Sequence, residues 1–487
     1  MQNGNMLTSY AQPERTWPAG RGAYIAAVIC LGVALAVAVF VVPPAAIIAG
    51  VIAVAVAVLV LREPFWGLVV VLVLEFLRLQ QVVPALALLH LPRLLTLWVA
   101  LAWALRTVVL RKAPVVGDRQ HAVMAAILAV GALSLLGAYW RGQAFRTLVD
   151  LSKQVVVFFL IVNLATDRRK VRLLLWSLVL LNAWLGFSQL TASKLTSSSA
   201  TLIRLGTGTD SFLGNSVDFA VALAVVLPFA VFLVFAERSK ILSVGAFLLA
   251  GLFVASLVAT GARAGALSLA VLAIVMWLKT PRKAVGFALV ASLLVGWWYL
   301  SPPSYHQQVL SIADYEQDPS ALGRIEAWRA AREMLTNRPL TGVGIGNFST
   351  ARALAYSPPG QQNWLTVHNV VLQASAEMGL LGLFVYALLV LFIFGDNRRT
   401  RRAAEQVGGD AERWYRNVAN GIDASLIGFL ATSFFVTTLY YPHLYLIAGI
   451  AVALKHAALA DAGYAEQAVT PQAAFAGATP RLARDMT

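Results

Sequence analysis

Charge is scarce in this sequence, and cysteine is scarcer. Asp, Glu, Lys and Arg make up 13% of 487 residues, about half the share of a soluble domain. A water-facing surface for so long a chain cannot be built from so few. The one cysteine, Cys30, excludes an internal disulfide and a thiolate cluster for metal. No Walker loop, dinucleotide fingerprint or zinc-ligand spacing occurs, so no cofactor and no metal are expected. There is no internal repeat or low-complexity tract. Acidic residues are also few, 23 against 38 basic, for a net charge of +15. Such an excess can signal nucleic acid. Here most of it falls in short segments between apolar runs, the usual topology signal of a membrane protein, and no nucleic-acid partner is expected.

What the sequence has instead is hydrophobic residue, 59% of the chain, in repeated runs near spanning length. Their backbones must satisfy their own hydrogen bonds, so α-helices are expected. The runs do not alternate as barrel strands would. Fourteen apolar spans are read: 23–42, 45–61, 65–80, 93–110, 121–139, 151–166, 173–190, 216–236, 241–259, 264–278, 284–300, 367–395, 418–440 and 443–460. The third is weak. The expected class is an all-α polytopic membrane protein of about 12–14 transmembrane helices. The polar start 1–22 reads as a tail, and the run after it, lacking a small-residue exit, as a span that stays. Residues 23–300 and 367–460 read as the membrane helices, 301–366 as one large loop domain and 461–487 as a polar tail, disordered or loosely attached.

An even number of spans puts both ends on one side, and the basic residues favour that side as the inside. Asp167-Arg168-Arg169-Lys170 and Arg398-Arg399-Thr400-Arg401-Arg402 are the sharpest anchors. The basic residues left outside are nearly all arginine, whose planar fork pairs bidentately with phosphate. They point to an anionic ligand on the outer face, headgroup contact being the alternative. In the large outer loop, Ile325 to Asn337 reads as a helix stopped by Pro339. Arg324, Trp328 and Arg332 recur every four residues and share a face of it. Gly342, Gly344 and Gly346 follow in a loop whose backbone can approach a ligand closely, or simply turn.

His368 stands at the outer start of an apolar run, where an imidazole can act as a base near neutral pH or serve as an interfacial hydrogen-bonding group. Arg263, in the tight link Thr260 to Gly265, is a functional candidate by its nearness to hydrocarbon, or snorkels to headgroups. Asp218 is placed to pair with an Arg or a hydroxyl. Asp150 and Lys153, one turn apart, are read as pairing with each other.

Together these residues resemble the O-antigen ligase and polymerase superfamily, bacterial inner-membrane enzymes with a GT-C-like fold. The likeness rests on Gly-Asn-x-x-Asp (214–218), Thr-Gly-x-Arg (260–263), and Gly-Arg-x-x-x-Trp (323–328) leading to Arg-Pro-Leu-x-Gly-x-Gly-x-Gly-Asn-Phe (338–348). The fourth piece is His-Asn…Glu-x-Gly-x-x-Gly (368–382). It covers about residues 200–440. The resemblance implies transfer of a glycan from an undecaprenyl-diphosphate donor to an acceptor sugar hydroxyl at the periplasmic face, with inversion and without metal. It implies that Arg263 and Arg324 bind the diphosphate and that His368 is the general base. Substrate contact is further expected of Arg204, Asn215, Asp218, Trp328, Arg332, Arg338, Asn369 and Glu377, with Trp364 and Tyr356 as possible sugar-stacking rings or interfacial anchors. The partners are the lipid-linked donor, a lipid A-core or growing glycan acceptor, and membrane lipids. A ligase reading leads, a polymerase follows closely, and a transporter of lipid-linked glycans is the distant alternative.

Overall fold

A computed structural model of the chain describes residues 44–77, 90–111, 114, 117–196, 215–280, 283–300, 319–358, 360 and 362–463. All regular structure among them is helical. The chain divides into Met1–Arg62 and Glu63–Thr487. In the first unit the described part is one apolar helix, α1 (Pro44–Arg62). The second contains α2 (Pro64–Leu77), α3 (Leu91–Val109), α4 (Arg119–Ser134), α5 (Arg141–Leu164), α6 (Arg168–Thr196), α7 (Ser216–Ala236), α8 (Lys240–Ala259), α9 (Arg263–Lys279), α10 (Lys283–Leu300), α11 (Pro319–Asn337), α12 (Phe348–Ala355), α13 (Val370–Val407), α14 (Gly409–Ser433) and α15 (Pro442–Asp461).

Every expected span after the first falls on a helix, and the first, 23–42, lies outside the described residues. Among the described residues eight helices are long and apolar enough to cross a membrane, and the chain is a multi-pass membrane protein. Several boundaries differ from the sequence reading. The helix beginning at Arg141 starts well before residue 151, because Arg141 to Lys153 carry helix-compatible polar residues on the same helix. The helix from Val370 continues through Arg398–Arg402 to Val407, so that basic run is helical. Conversely α14 stops at Ser433, and 434–441 is a loop ended by Pro442 at the first turn of α15. Proline there fits its fixed φ and missing N–H.

Two helices form the middle of the second unit. About nine-tenths of α7 and four-fifths of α15 are buried within the protein, as expected for segments apolar on all sides. In membranes such helices join by close approach of small residues. Gly428 of α14 lies against α7 so closely that a Cβ would stand 2.8 Å from the Ala224 carbonyl. That carbonyl is the one that Pro228, lacking an N–H, cannot engage within α7. One residue on, Ser425 Oγ donates to the Val225 carbonyl at 2.6 Å.

Buried ions tie the helices together at one end of the bundle. Lys455 of α15 is held between Asp118, the N-cap of α4, and Asp396 of α13, the latter at 3.0 Å. All three side chains are at most 6% exposed. Gln120 donates to Asp396 at 2.6 Å and His456 lies 3.0 Å from Asp118. Burial alone would raise the Asp118 pKa. The His456 hydrogen bond and the Lys455 ammonium outweigh it and hold this carboxyl well below the usual range. Elsewhere Asp423 of α14 accepts from Lys279, Arg401 and Asn397. Lys455→Met leaves two carboxylates facing each other out of water. A loss of about 3–5 kcal/mol is expected, read as a lower unfolding midpoint in detergent. An unchanged midpoint would show that this network does not hold the bundle.

Candidate functional site

Helix α13 is broken at Gly379, where the backbone turns to φ 69° and ψ −166°. The break releases carbonyls that the helix would otherwise occupy. Ala376 O accepts from Val343 N–H at 2.9 Å and Glu377 O from Gly344 N–H at 3.0 Å, while Leu380 N–H donates to Pro339 O at 2.8 Å. The segment Arg338 to Gly344 is thus laid into the break, and one structural unit uses both glycine motifs. Neither tolerates a side chain. A Cβ on Gly379 would stand 2.5 Å from Pro339 O, and one on Gly342, at φ 62°, 2.4 Å from the Glu377 backbone.

The Glu377 side chain finishes the joint. It is 3% exposed. One carboxylate oxygen accepts from Gly346 N–H at 2.9 Å and from the Tyr440 hydroxyl, and the other accepts from Phe348 N–H at 3.2 Å. Ile345 N–H goes to Ser134 Oγ, and Asn347 N–H to the Gly344 carbonyl, each at 3.0 Å. Every N–H from Gly342 to Phe348 therefore has an acceptor inside the protein. The loop does not present a row of free amides to an anion, as a phosphate-cradling nest would. Its close backbone approach is to Ala138, Thr147 and the α13 break. In the same way both Glu377 oxygens are committed within the protein.

His368 sits just before α13 in the left-handed region, φ 51°, which is unusual for a residue with a side chain. Its neighbours hold it there. His368 N–H donates to Thr437 Oγ1 at 3.0 Å. Asn369 caps α13, accepting from Val371 and Leu372 N–H, and its Nδ2 donates to the Phe434 carbonyl at 3.2 Å. Trp328 Nε1 donates to the Val367 carbonyl at 3.0 Å, and its ring stands edge-on to Phe434. The half-buried imidazole has Nε2 3.2 Å from Thr366 Oγ1. Burial, then the charges of Arg324 and Arg352, push its pKa below the ordinary histidine value. A neutral imidazole at neutral pH follows, the form that can accept a proton.

The other expected site residues fall into three groups. Arg324 is half-buried on α11, one turn from Trp328, with Arg332 exposed a turn further. Arg263 is the first residue of α9, half-buried after a turn at Gly261 with φ 63°. Three residues act within the fold. Arg338 donates to the Gly137 carbonyl, with its guanidinium 4.7 Å from the Tyr139 ring centre. Asn215 caps α7, accepting from Val217 and Asp218 N–H at 2.9 Å each. Asp218 accepts from the Tyr441 hydroxyl at 2.9 Å, a hydroxyl pairing of the kind expected. Arg204 lies outside the described residues. Asp150 and Lys153 do not pair with each other. Asp150 binds Arg93 at 2.7 Å and Lys153 binds Glu75 at 2.7 Å, because α3 and α2 bring those partners across the helix interface.

Sequence reasoning missed two things here. The first is the loop 434–441, read as the end of a span, whose Phe434, Thr437, Leu439, Tyr440 and Tyr441 touch Asn369, His368, Gln373, Glu377 and Asp218 in turn. Tyr-Tyr-Pro before an apolar run was the available signal for a helix start at Pro442. The second is Arg352 of α12, 2% exposed, 3.6 Å from Glu326, with a buried Nη1 that finds no hydrogen-bond acceptor among the described residues.

Gly379→Ala forces a left-handed alanine against the Pro339 carbonyl and should cost about 2–4 kcal/mol. Gly395→Ala is the control, since nothing lies within 4 Å of a Cβ there, and it should be neutral or slightly stabilising. Equal unfolding midpoints for the two variants would show that the α13 break is not under this constraint.

No curated protein matches the chain. Residues 246–387, which include Arg263, Arg324, the glycine loop, His368 and the Gly379 break, match the family model described as O-Antigen ligase.

Proposed function

We propose that this protein transfers a glycan from undecaprenyl diphosphate to a sugar hydroxyl of lipid A-core, at the periplasmic face of the bacterial inner membrane, as an inverting and metal-independent O-antigen ligase of GT-C-like fold. The observation that carries the reading is His368: an imidazole kept neutral by burial and by two arginines, at the end of a membrane helix, within the segment that matches the ligase family. The match of residues 246–387 to the O-Antigen ligase family model supports glycan ligation in general. Donor, acceptor and the roles of single residues are our assignment.

In this scheme the acceptor hydroxyl oxygen attacks the anomeric carbon from the side opposite the leaving group. The hydroxyl proton passes to His368 as the new carbon–oxygen bond forms. The bond from the anomeric carbon to the phosphate oxygen breaks, and its electron pair departs with undecaprenyl diphosphate. Arg263 and Arg324 bind that diphosphate and meet its growing negative charge. Trp328 and Asn369 hold the His368 backbone. Glu377 and Arg338 serve the site by fixing the α13 break. The outward face is the end carrying His368, 301–366 is the periplasmic domain, and both termini are cytoplasmic.

The test is transfer by the purified full chain given undecaprenyl-diphosphate oligosaccharide, with lipid A-core or with donor alone. Product only with lipid A-core supports the ligase. A ladder from donor alone would replace it with a polymerase, and no product from folded protein would favour a transporter of lipid-linked glycans. His368→Ala should lower the rate by about 10²–10⁴-fold; wild-type turnover would remove the base from the scheme.

A pH prediction follows from the arginines. A base must be unprotonated, so activity should fall as pH drops through the His368 pKa, which lies below the ordinary value. Arg352→Gln removes a positive charge that disfavours the imidazolium, so the pKa rises and the acid limb of the kcat/KM profile moves to higher pH. An acid limb that stays in place would separate Arg352 from His368.

A further inference from the structure

At the far end of α7 and α9 from Asp218 and Arg263 lies a cavity of about 830 Å³, within the size range of small-molecule sites. The 17 and 21 residues of these helices separate the two ends by roughly 25–30 Å. The cavity is therefore distinct from the His368 site. Its walls differ in character. Val234, Phe235 and Leu278 give it apolar surface, while Lys279, Lys283, Arg401, Arg413 and Arg416 give it positive charge.

Most of these cations are balanced by acids of the protein. Lys279 and Arg401 share Asp423. Arg416 binds Glu412 at 2.6 Å, and Arg413 is 3.7 Å from Asp410. Glu237, the other carboxylate in the wall, is taken up by Arg172 and by Trp176 Nε1. Lys283 differs, because among the described residues its ammonium donates to backbone carbonyls, those of Trp277 and Leu278, and pairs with no acid. It leaves the cavity with positive charge that nothing in its wall neutralises.

A second observation is independent of charge. Asn417 lines the same cavity and is 3% exposed. Its Nδ2 donates to the Arg413 carbonyl at 2.8 Å, which fixes which end of the amide is oxygen. Its Oδ1 is buried and accepts no hydrogen bond among the described residues. A buried acceptor without a donor is destabilising, and it is satisfied by a ligand that brings one.

We propose that this cavity is a second binding site, for a phosphate ester that carries a free hydroxyl. The phosphate faces Lys283 and its basic neighbours, and the hydroxyl donates to Asn417 Oδ1. Two sources offer this chemistry: the glycerol-phosphate headgroup of an anionic membrane lipid, whose acyl chain meets Val234, Phe235 and Leu278, and a soluble glycerol phosphate.

The full chain in phosphatidylcholine nanodiscs is titrated with short-chain phosphatidylglycerol and, separately, with glycerol 3-phosphate. Saturable binding is expected in at least one arm. Lys283→Gln and Arg413→Gln, both at solvent-reachable positions, should each weaken it about fivefold, and Asn417→Ala should weaken it further. Binding by the lipid alone assigns the headgroup, and equal binding by the soluble ester assigns a soluble ligand. Absence of binding in both arms overturns the proposal. So does binding that the Lys283→Gln, Arg413→Gln double variant leaves unchanged while its unfolding midpoint stays at the wild-type value.

Discussion

The geometry around His368 depends on one interruption of hydrogen bonding, at Gly379. An unbroken α13 would keep the Ala376 and Glu377 carbonyls and the Leu380 amide for itself. Once broken, it must satisfy them elsewhere, because buried backbone groups without partners are costly. The segment from Pro339 to Gly344 supplies the partners. The extramembrane chain is thereby fixed to a membrane helix through its backbone, independently of flexible side chains. Glu377 extends the joint to Phe348 and to Tyr440. From these two contacts the α11–α12 segment and the 434–441 loop take their positions around the start of α13.

Much of this was legible in the sequence. Apolar runs gave the helices, and Pro339 gave the end of α11. Glycines at 342, 344, 346 and 379 marked places where a side chain does not fit. What they were for was not legible. A glycine-rich loop reads equally as a ligand cradle or as a backbone buried against protein, and the acceptor for each N–H lies far along the chain: Ser134 for Ile345, Glu377 for Gly346 and Phe348. Local spacing carries no record of such pairs. Asp150 and Lys153 failed for the same reason, since their partners Arg93 and Glu75 sit on other helices. Arg352 is one of the many arginines on the outer side of the spans, and only its burial sets it apart.

His368 shows how the packing makes chemistry. Its left-handed backbone is tolerated because Thr437, Asn369 and Trp328 hold the residues on either side of it. A strained residue that is over-determined by its neighbours is a common mark of functional sites. The same packing half-buries the ring, and two guanidiniums add their charge. Desolvation and like charge act in one direction on an imidazole, both against the protonated form. In the proposed reaction, the cations suited to an anionic substrate thus also keep the imidazole neutral and able to accept a proton.

A broken helix has a price in rigidity, and the structure meets it on both sides of the break. Before Gly379, Gln373 and Glu377 bind Leu439 and Tyr440, which lead directly into α15. After it, Asp396 binds Lys455 near the other end of that same helix. The nineteen residues from Glu377 to Asp396 span roughly 28 Å. Helix α15 runs unbroken between the two attachments and is among the most buried in the protein. It therefore acts as a splint across the break. The part of α13 beyond Gly379 is also tied to α14, where Asn397 and Arg401 donate to Asp423. The angle at the break is thus fixed by buried polar contacts to two neighbouring helices, one of which runs past both sides of the break.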